Sequence, residues 1–247
     1  MNYDLITQLE EVSLGGWPAM EEEKYDNWIL RASSGYTGRA NSIVPLDRGS
    51  IDIDEKLTYC EYWYNCRGLP VTFKITDASN YLTPYLDLRN YGERQRVNVQ
   101  TLNLSNFNYT YTLKADTCSV DDWIDAYKII TNQSEETLLI HASLLNLLKK
   151  KADFAVIISN NIPVSCGVCI NQGEYAGIFD IYTATRARNH GFARELIINL
   201  INRSKETGAQ YMYLQVIANN TTAVSLYEKF GFKTQYQYWY RYQQKVD

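Results

Sequence analysis

Residues 176 to 201 commit the chain to one local shape. Ala176–Thr183 is apolar and β-branched enough to form a strand, and Ala193, Leu196, Ile197, Leu200 and Ile201 fall at i, i+3, i+4, i+7 and i+8, the stripe of a helix packed on a sheet. The two are joined by Arg188-Asn189-His190-Gly191-Phe192-Ala193, the pattern R-x-x-G-x-A. A glycine at such a junction lets the backbone approach a ligand closely. The first amides of the following helix have no intrahelical acceptor, so together with the helix dipole they favour an anion. Taken alone, the hexapeptide reads equally well as a tight strand-to-helix turn.

The next forty residues weigh between those readings. The helix stops near Thr207-Gly208, Tyr211–Val216 reads as a strand, and Asn220 opens N-x-x-A-x-x-L-Y-x-K-x-G-F, which ends at Phe232. In this order the two motifs closely resemble the acetyl-CoA-binding core of the GNAT N-acetyltransferases, over about Cys118 to Arg241. Ala193 stands at the last glycine of that family's first motif, and Thr183 and Thr185 replace its usual valine and proline. The elements from Ser119 onward follow the resembled order: helices over Asp121–Thr131 and Glu135–Lys150, strands over Phe154–Ser159 and Val164–Asn171, the strand and helix above, then a last strand over Lys233–Tyr242. The fold expected is α/β with α+β character, a mixed, mostly antiparallel twisted sheet flanked by helices.

The resemblance implies a bacterial-type acyltransferase that moves an acetyl group from the co-substrate acetyl-CoA to a primary amine; a cytosolic location is expected because no apolar run is of membrane length and the N-terminus is not signal-like. It assigns the pantetheine arm to backbone groups of Ile181, Tyr182 and Thr183, and the pyrophosphate to Arg188, Asn189, His190, Gly191, Phe192, Ala193 and Arg194. Asn220 and Ala223 are further donor contacts, Asn220 serving equally as a helix N-cap. Tyr227 is the family's general acid for the departing thiolate, and the alternative for it in a chain with 21 tyrosines is a packing aromatic. Glu174 and Asp180, the carboxylates nearest the central strand, are the candidates for the general base, with solvated turn or edge residues as the alternative. A non-catalytic acyl-CoA-binding module is the second reading of the whole. The acceptor is left open, and so is the choice between monomer and homodimer.

Residues 1–107 are expected to form a degenerate half that repeats the element order of a catalytic half at 108–247. Its elements read as helix Leu5–Val12, strands Trp28–Ala32 and Asn41–Leu46, helix Ile53–Cys66, strand Val71–Thr76, helix Tyr81–Asn90 and strand Arg96–Leu102. Asn80 before a helix closed by Tyr91-Gly92 echoes Asn220 before one closed by Phe230-Gly231. The turn Pro45-Leu46-Asp47-Arg48-Gly49-Ser50 lacks the R-x-x-G-x-A pattern and is not expected to hold a pyrophosphate. Segments such as Trp28–Arg31 and Arg39–Ile43 resemble the N-terminal halves of bacterial two-domain GNAT proteins.

Composition excludes other classes. A net charge of −4 without a Lys/Arg block speaks against nucleic acid, and no apolar run reaches membrane-spanning length or follows a basic N-terminus. Five irregularly spaced cysteines make no disulfide framework. Cys166 and Cys169 have C-x-x-C spacing but lie on a strand, where residues three apart point to opposite faces, so no metal is expected. His141, on a predicted helix, reads as a packing or surface residue.

Overall fold

A computed structural model describes residues Tyr3–Gln243. In chain order the elements are α1 (Tyr3–Gly16), β1 (Glu21–Tyr25), β2 (Trp28–Ala32), β3 (Val44–Pro45), α2 (Ile53–Asn65), β4 (Thr72–Thr76), α3 (Thr83–Leu88) and β5 (Tyr91–Asn103). There follow β6 (Asp116–Thr117), α4 (Val120–Thr131), α5 (Glu135–Leu148), β7 (Ala152–Ser159), β8 (Ile162–Gln172), β9 (Tyr175–Thr183), α6 (Phe192–Glu206), β10 (Tyr211–Ile217), α7 (Thr221–Lys229) and β11 (Lys233–Gln243). The chain forms two compact units. One takes the residues up to Val99, Val216–Thr221 and the chain from Thr234; the other takes Gln100–Gln215 and Thr222–Lys233. The architecture is the expected mixed, mostly antiparallel one flanked by helices. Among the described residues no helix is long and apolar enough to cross a membrane.

In the first unit β1, β2 and β3 make a small antiparallel sheet, and β11 pairs antiparallel with β4. Its core gathers Trp28, Leu30, Leu57, Tyr64, Phe73, Ile75 and Trp239. Strand β1, Glu-Glu-Glu-Lys-Tyr, has no apolar period and is invisible to a reading based on alternation. It forms because Asp26 and Asn27, at φ 43° and 65°, make a two-residue reversal that sets Tyr25 against Trp28. Its carboxylates are then taken up: Glu23 accepts from the Tyr59 hydroxyl and from Trp63 Nε1, and Glu22 from Arg31. The strand expected over Asn41–Leu46 shrinks to β3. The Asn41 amide is drawn into the preceding turn, where Oδ1 accepts from the amides of Ser33 and Gly35 and Nδ2 donates to Tyr36 O and Thr37 O. The helix expected over Tyr81–Asn90 divides into a 3-10 turn, Asp77–Leu82, and the short α3, with Pro84 in its first turn.

The turn before α2 is organised around one carboxylate. Asp26 Oδ2 accepts from the amides of Ser50 (2.8 Å) and Ile51 (2.9 Å) and from Lys56 Nζ (3.0 Å). The Ile51 and Ser50 amides, then the Lys56 ammonium, hold the Asp26 carboxyl well below the usual range. Gly49 passes so close, at φ 66°, that a Cβ there would lie 2.6 Å from Asp26 O. Gly49→Ala should therefore lose on the order of 2 kcal/mol of stability from the left-handed backbone and the clash. A lowered denaturant midpoint at unchanged slope is the expected observation, and an unchanged midpoint would refute the account.

In the second unit the strand order is β10-β9-β8-β7-β6. β6 to β9 pair antiparallel, while β10 runs parallel to β9. The buried stripe of α6, Leu196, Ile197, Leu200 and Ile201, packs as its spacing requires. It meets β8 where Gly167 leaves room: a Cβ there would sit 2.4 Å from the Ile181 side chain and 3.2 Å from Leu196. Cys169 Sγ lies 3.0 Å from Ser204 Oγ on α6, so Cys166, three residues away on β8, faces the other side. Among the described residues no cluster of three His, Cys, Asp or Glu side chains could hold a metal ion.

Candidate active site

The ladder between β9 and β10 joins Tyr175–Gly177 to Tyr211–Tyr213, and among the described residues it extends no further. Gly177 is needed at its end, because the Tyr213 ring lies across it and a Cβ would approach that ring to 2.5 Å. The Tyr213 hydroxyl donates to Gln172 Oε1 and its ring meets Phe179 edge-on. Beyond Gly177, β9 runs on through Ile178–Thr183. Ile181 and Thr183 are half-buried and Tyr182 is exposed.

From Thr183 the chain takes a 3-10 turn, Thr185–Ala187, then Asn189 and Gly191 at φ 64° and 81°, and enters α6 at Phe192. The left-handed Gly191 is the N-cap, and no side chain caps the helix. The Gly191 carbonyl accepts from the Glu195 amide, so the amides of Phe192, Ala193 and Arg194 precede the first helical donor. A Cβ at Gly191 would meet nothing within 4 Å. Arg188, Asn189, His190, Gly191 and Arg194 are exposed, Phe192 and Ala193 half-buried. His190 Nδ1 lies 2.7 Å from Arg188 O, and its ring stacks on Phe192. Uncapped amides and the positive end of a 15-residue helix suit an anion, with Arg186 and Arg188 exposed on the turn that leads to them; the Arg194 guanidinium pairs with Glu195 Oε1 at 2.6 Å.

An extended segment that the sequence reading missed lies along the other side of α6. Glu195 Oε2 accepts from the amides of Thr112 (2.6 Å) and Leu113 (3.1 Å), and Asn199 exchanges hydrogen bonds with Ala115 N and Leu113 O. Arg203 donates to Ala115 O, Asn202 to Tyr109 O and Lys205 to Phe107 O. Burial alone would raise the Glu195 carboxyl, but the Leu113 and Thr112 amides and Arg194 outweigh it and hold it low. Tyr109 reaches two helices: the Arg194 guanidinium lies 5.9 Å from its ring, and its hydroxyl donates to Lys229 O at the end of α7. A polar repeat at 195, 199, 202 and 203 on α6 was the available signal.

Tyr227 is buried on α7, 8% exposed, with its ring edge-on to Phe232 at 5.8 Å. Burial pushes its hydroxyl well above the ordinary tyrosine value. Ala223 is half-buried one turn earlier, and Asn220, exposed, directly precedes the helix, its amide donating to Ile217 O.

The two candidate carboxylates part company. Glu174 is exposed in the β8–β9 turn, where its carbonyl accepts from the amides of Gln210 and Tyr211. Nine residues of extended chain, roughly 30 Å, separate it from Thr183. Asp180 lies three residues before Thr183 at φ 50°, inside a bulge where Cys166 faces Tyr182 and Val168 faces Phe179. Its Oδ2 is 2.9 Å from Nε2 of His141, which is fully buried on α5. His141 is thus neither a surface residue nor a packing residue alone; its spacing with Leu138, Leu145 and Leu148 places it on the buried stripe.

Comparisons with known proteins fit this geometry. Residues 5–242 match the family model described as "Probable histone acetyltransferase Rv0428c C-terminal". A Bacillus subtilis (strain 168) relative described as the uncharacterized N-acetyltransferase YobR is 28% identical, the alignment covering 96% of this chain and 98% of the relative. A GCN5-related N-acetyltransferase from Kribbella flavida superposes with a TM-score of 0.74 at 12% identity, covering 97% of this chain and 96% of that one. A tandem GNAT protein from the clavulanic acid biosynthesis pathway superposes with a TM-score of 0.60 at 8% identity, over 97% of this chain and 89% of its own.

Proposed function

Because the chain belongs to the family of the Rv0428c C-terminal region, within the GNAT N-acetyltransferases, we propose that it transfers an acetyl group from acetyl-CoA to a primary amine by direct attack. The reading is carried by the glycine-started N-terminus of α6, which no side chain caps and which the chain reaches from the end of β9 through the turn at Thr185–Ala187. The pyrophosphate takes the amides from Gly191 to Arg194, and the pantetheine arm runs along Ile181–Thr183, with Ala223 as a further contact. The amine nitrogen attacks the thioester carbonyl, the C–N bond forms, the C–S bond breaks, and Tyr227 protonates the departing sulfur. Its buried hydroxyl stays protonated throughout the neutral range, the state this role requires. Of the two carboxylates, Asp180 has the position for a general base.

Residues 1–107 are read as a degenerate half with no donor site of its own. In that half the turn amides of Ser50 and Ile51 are already committed to Asp26. Calorimetric titration should therefore give one acetyl-CoA per chain; two equivalent sites would overturn the reading of the N-terminal half. Release of CoA across a panel of amines tests the activity itself. Saturable acetyl-CoA binding with no release for any amine would favour a non-catalytic acyl-CoA-binding module.

A further inference from the structure

We propose that His141 is a positioning residue for acetyl transfer: from α5 it holds the Asp180 carboxylate at the β9 bulge, and the pair takes the proton that the acceptor ammonium must lose before its nitrogen can attack. The inference rests on the acetyltransferase reading above and adds to it the group that activates the amine.

Three observations carry it. First, the Asp180 backbone is held at φ 50° in the middle of a strand. A non-glycine residue in that region is strained and persists where the surrounding structure over-determines it. The bulge sets Asp180 and Ile181 against the single residue Gly167, and a bulge re-aims the side chain it contains. Second, the partner comes from a different element and is wholly inside: the His141 side chain is 0% exposed and that of Asp180 8%. A buried carboxylate is costly unless it is paired, and the 2.9 Å contact to His141 Nε2 pairs it. Third, the pair lies three residues along β9 from Thr183, about 10 Å of extended chain from the end of the segment assigned to the pantetheine arm.

The surroundings favour proton uptake. Trp123 and Tyr127 on α4 meet the His141 ring edge-on at 5.7 and 4.9 Å, and Tyr182 on β9 packs edge-on against Tyr127. From β8, Cys166 faces the same region, its thiol pushed up by burial and then by Asp180, so it is uncharged at neutral pH. Among these aromatic rings and a neutral thiol, a carboxylate beside a neutral imidazole carries one negative charge. Accepting a proton converts it to an aspartate–imidazolium pair of no net charge, which a low-polarity site prefers. In the proposed sequence the ammonium gives one proton to the pair and its nitrogen attacks the thioester carbon. Tyr227 then gives its proton to the sulfur and recovers one from the new amide nitrogen. The pair's proton returns to solvent, so one proton is released for each acetyl group transferred.

The test compares two nucleophiles, the most active alkylamine of the panel and hydroxylamine, which is uncharged at neutral pH and needs no such base. With the alkylamine at pH 7, His141→Gln should lower kcat by about 100-fold, as loss of a general base does, with the penalty shrinking as pH rises and free amine accumulates. Hydroxylamine turnover and the acetyl-CoA dissociation constant should change by less than about threefold, since neither uses the lost proton acceptor. Equal losses with both nucleophiles would show a merely structural role, and no loss would remove His141 from the reaction; either outcome overturns the proposal. Should His141→Gln fail to fold, Asp180→Asn takes its place in the same comparison of the two nucleophiles: a loss confined to the alkylamine supports the pair as the proton acceptor, and equal losses or none overturn the proposal. Wild-type protein that binds acetyl-CoA but turns over neither nucleophile defeats the acetyltransferase reading itself, and the inference with it.

Discussion

Tyr227→Phe should lower turnover by roughly 10²- to 10⁴-fold, the span expected for loss of a general acid, while leaving acetyl-CoA affinity nearly unchanged. The ring keeps its packing against Phe232, so neither the fold nor the donor site loses a hydrophobic contact. Burial raises the phenol above its ordinary value of about 10. The same dry surroundings would raise the basicity of a thiolate leaving beside it, so under the proposed mechanism donation stays feasible as the C–S bond breaks. A group with a raised pKa stays protonated further up the pH scale. Tyr227 should therefore impose no fall in turnover on the alkaline side within the range the protein tolerates. The measurement is single-turnover CoA release with a competent amine, where chemistry limits the rate. An unchanged rate in the Phe variant would make Tyr227 a packing residue and assign the proton to water.

Gly191→Val should abolish acetyl-CoA binding. At φ 81° the residue occupies the left-handed region, where a β-branched side chain is strained, and the Cβ direction is open to solvent. The protein can accommodate the atom; a pyrophosphate lying on the amides cannot. Backbone cost and ligand exclusion are separable with Gly191→Asn, because asparagine tolerates the left-handed region. That variant should keep its melting temperature within a few degrees and still bind acetyl-CoA at least 100-fold more weakly, the equivalent of losing two or more charge-assisted hydrogen bonds. Donor affinity within a few-fold of wild type in both variants would move the pyrophosphate away from this turn.

The elements legible in the sequence are those whose local pattern and tertiary surroundings agree. β9, the glycine junction and α6 could be read residue by residue because one face of α6 meets the sheet and its period shows it. The remainder depended on partners distant in sequence. β1 has no apolar alternation, and its glutamates are settled by Arg31, Tyr59 and Trp63. Glu195 and Asn199 look like the solvated face of a helix until Thr112, Leu113 and Ala115 are laid over them. His141 sits in register with Leu138 and Leu145, yet nothing in the linear sequence reveals a bulge at Asp180 to receive it. Proximity in sequence likewise made Glu174 and Asp180 equal candidates, whereas the length of β9 separates them.

The strap over α6 decides how the protein can be taken apart. Residues 104–115 look like a connector between two halves, the natural place to cut. Yet Phe107 packs on Phe230 with ring centroids 6.2 Å apart, and its carbonyl receives Lys205 Nζ at 2.7 Å. The next eight residues occupy Glu195, Asn199, Asn202 and Arg203. A fragment begun at Asn108 forfeits the first of these anchorages, and one begun at Val120 leaves a helix whose polar side was built to be covered facing water. Any chimera that transplants α6 must carry the chain from Leu104 onward, for here the apparent linker is the outer wall of the helix to which we assign the pyrophosphate.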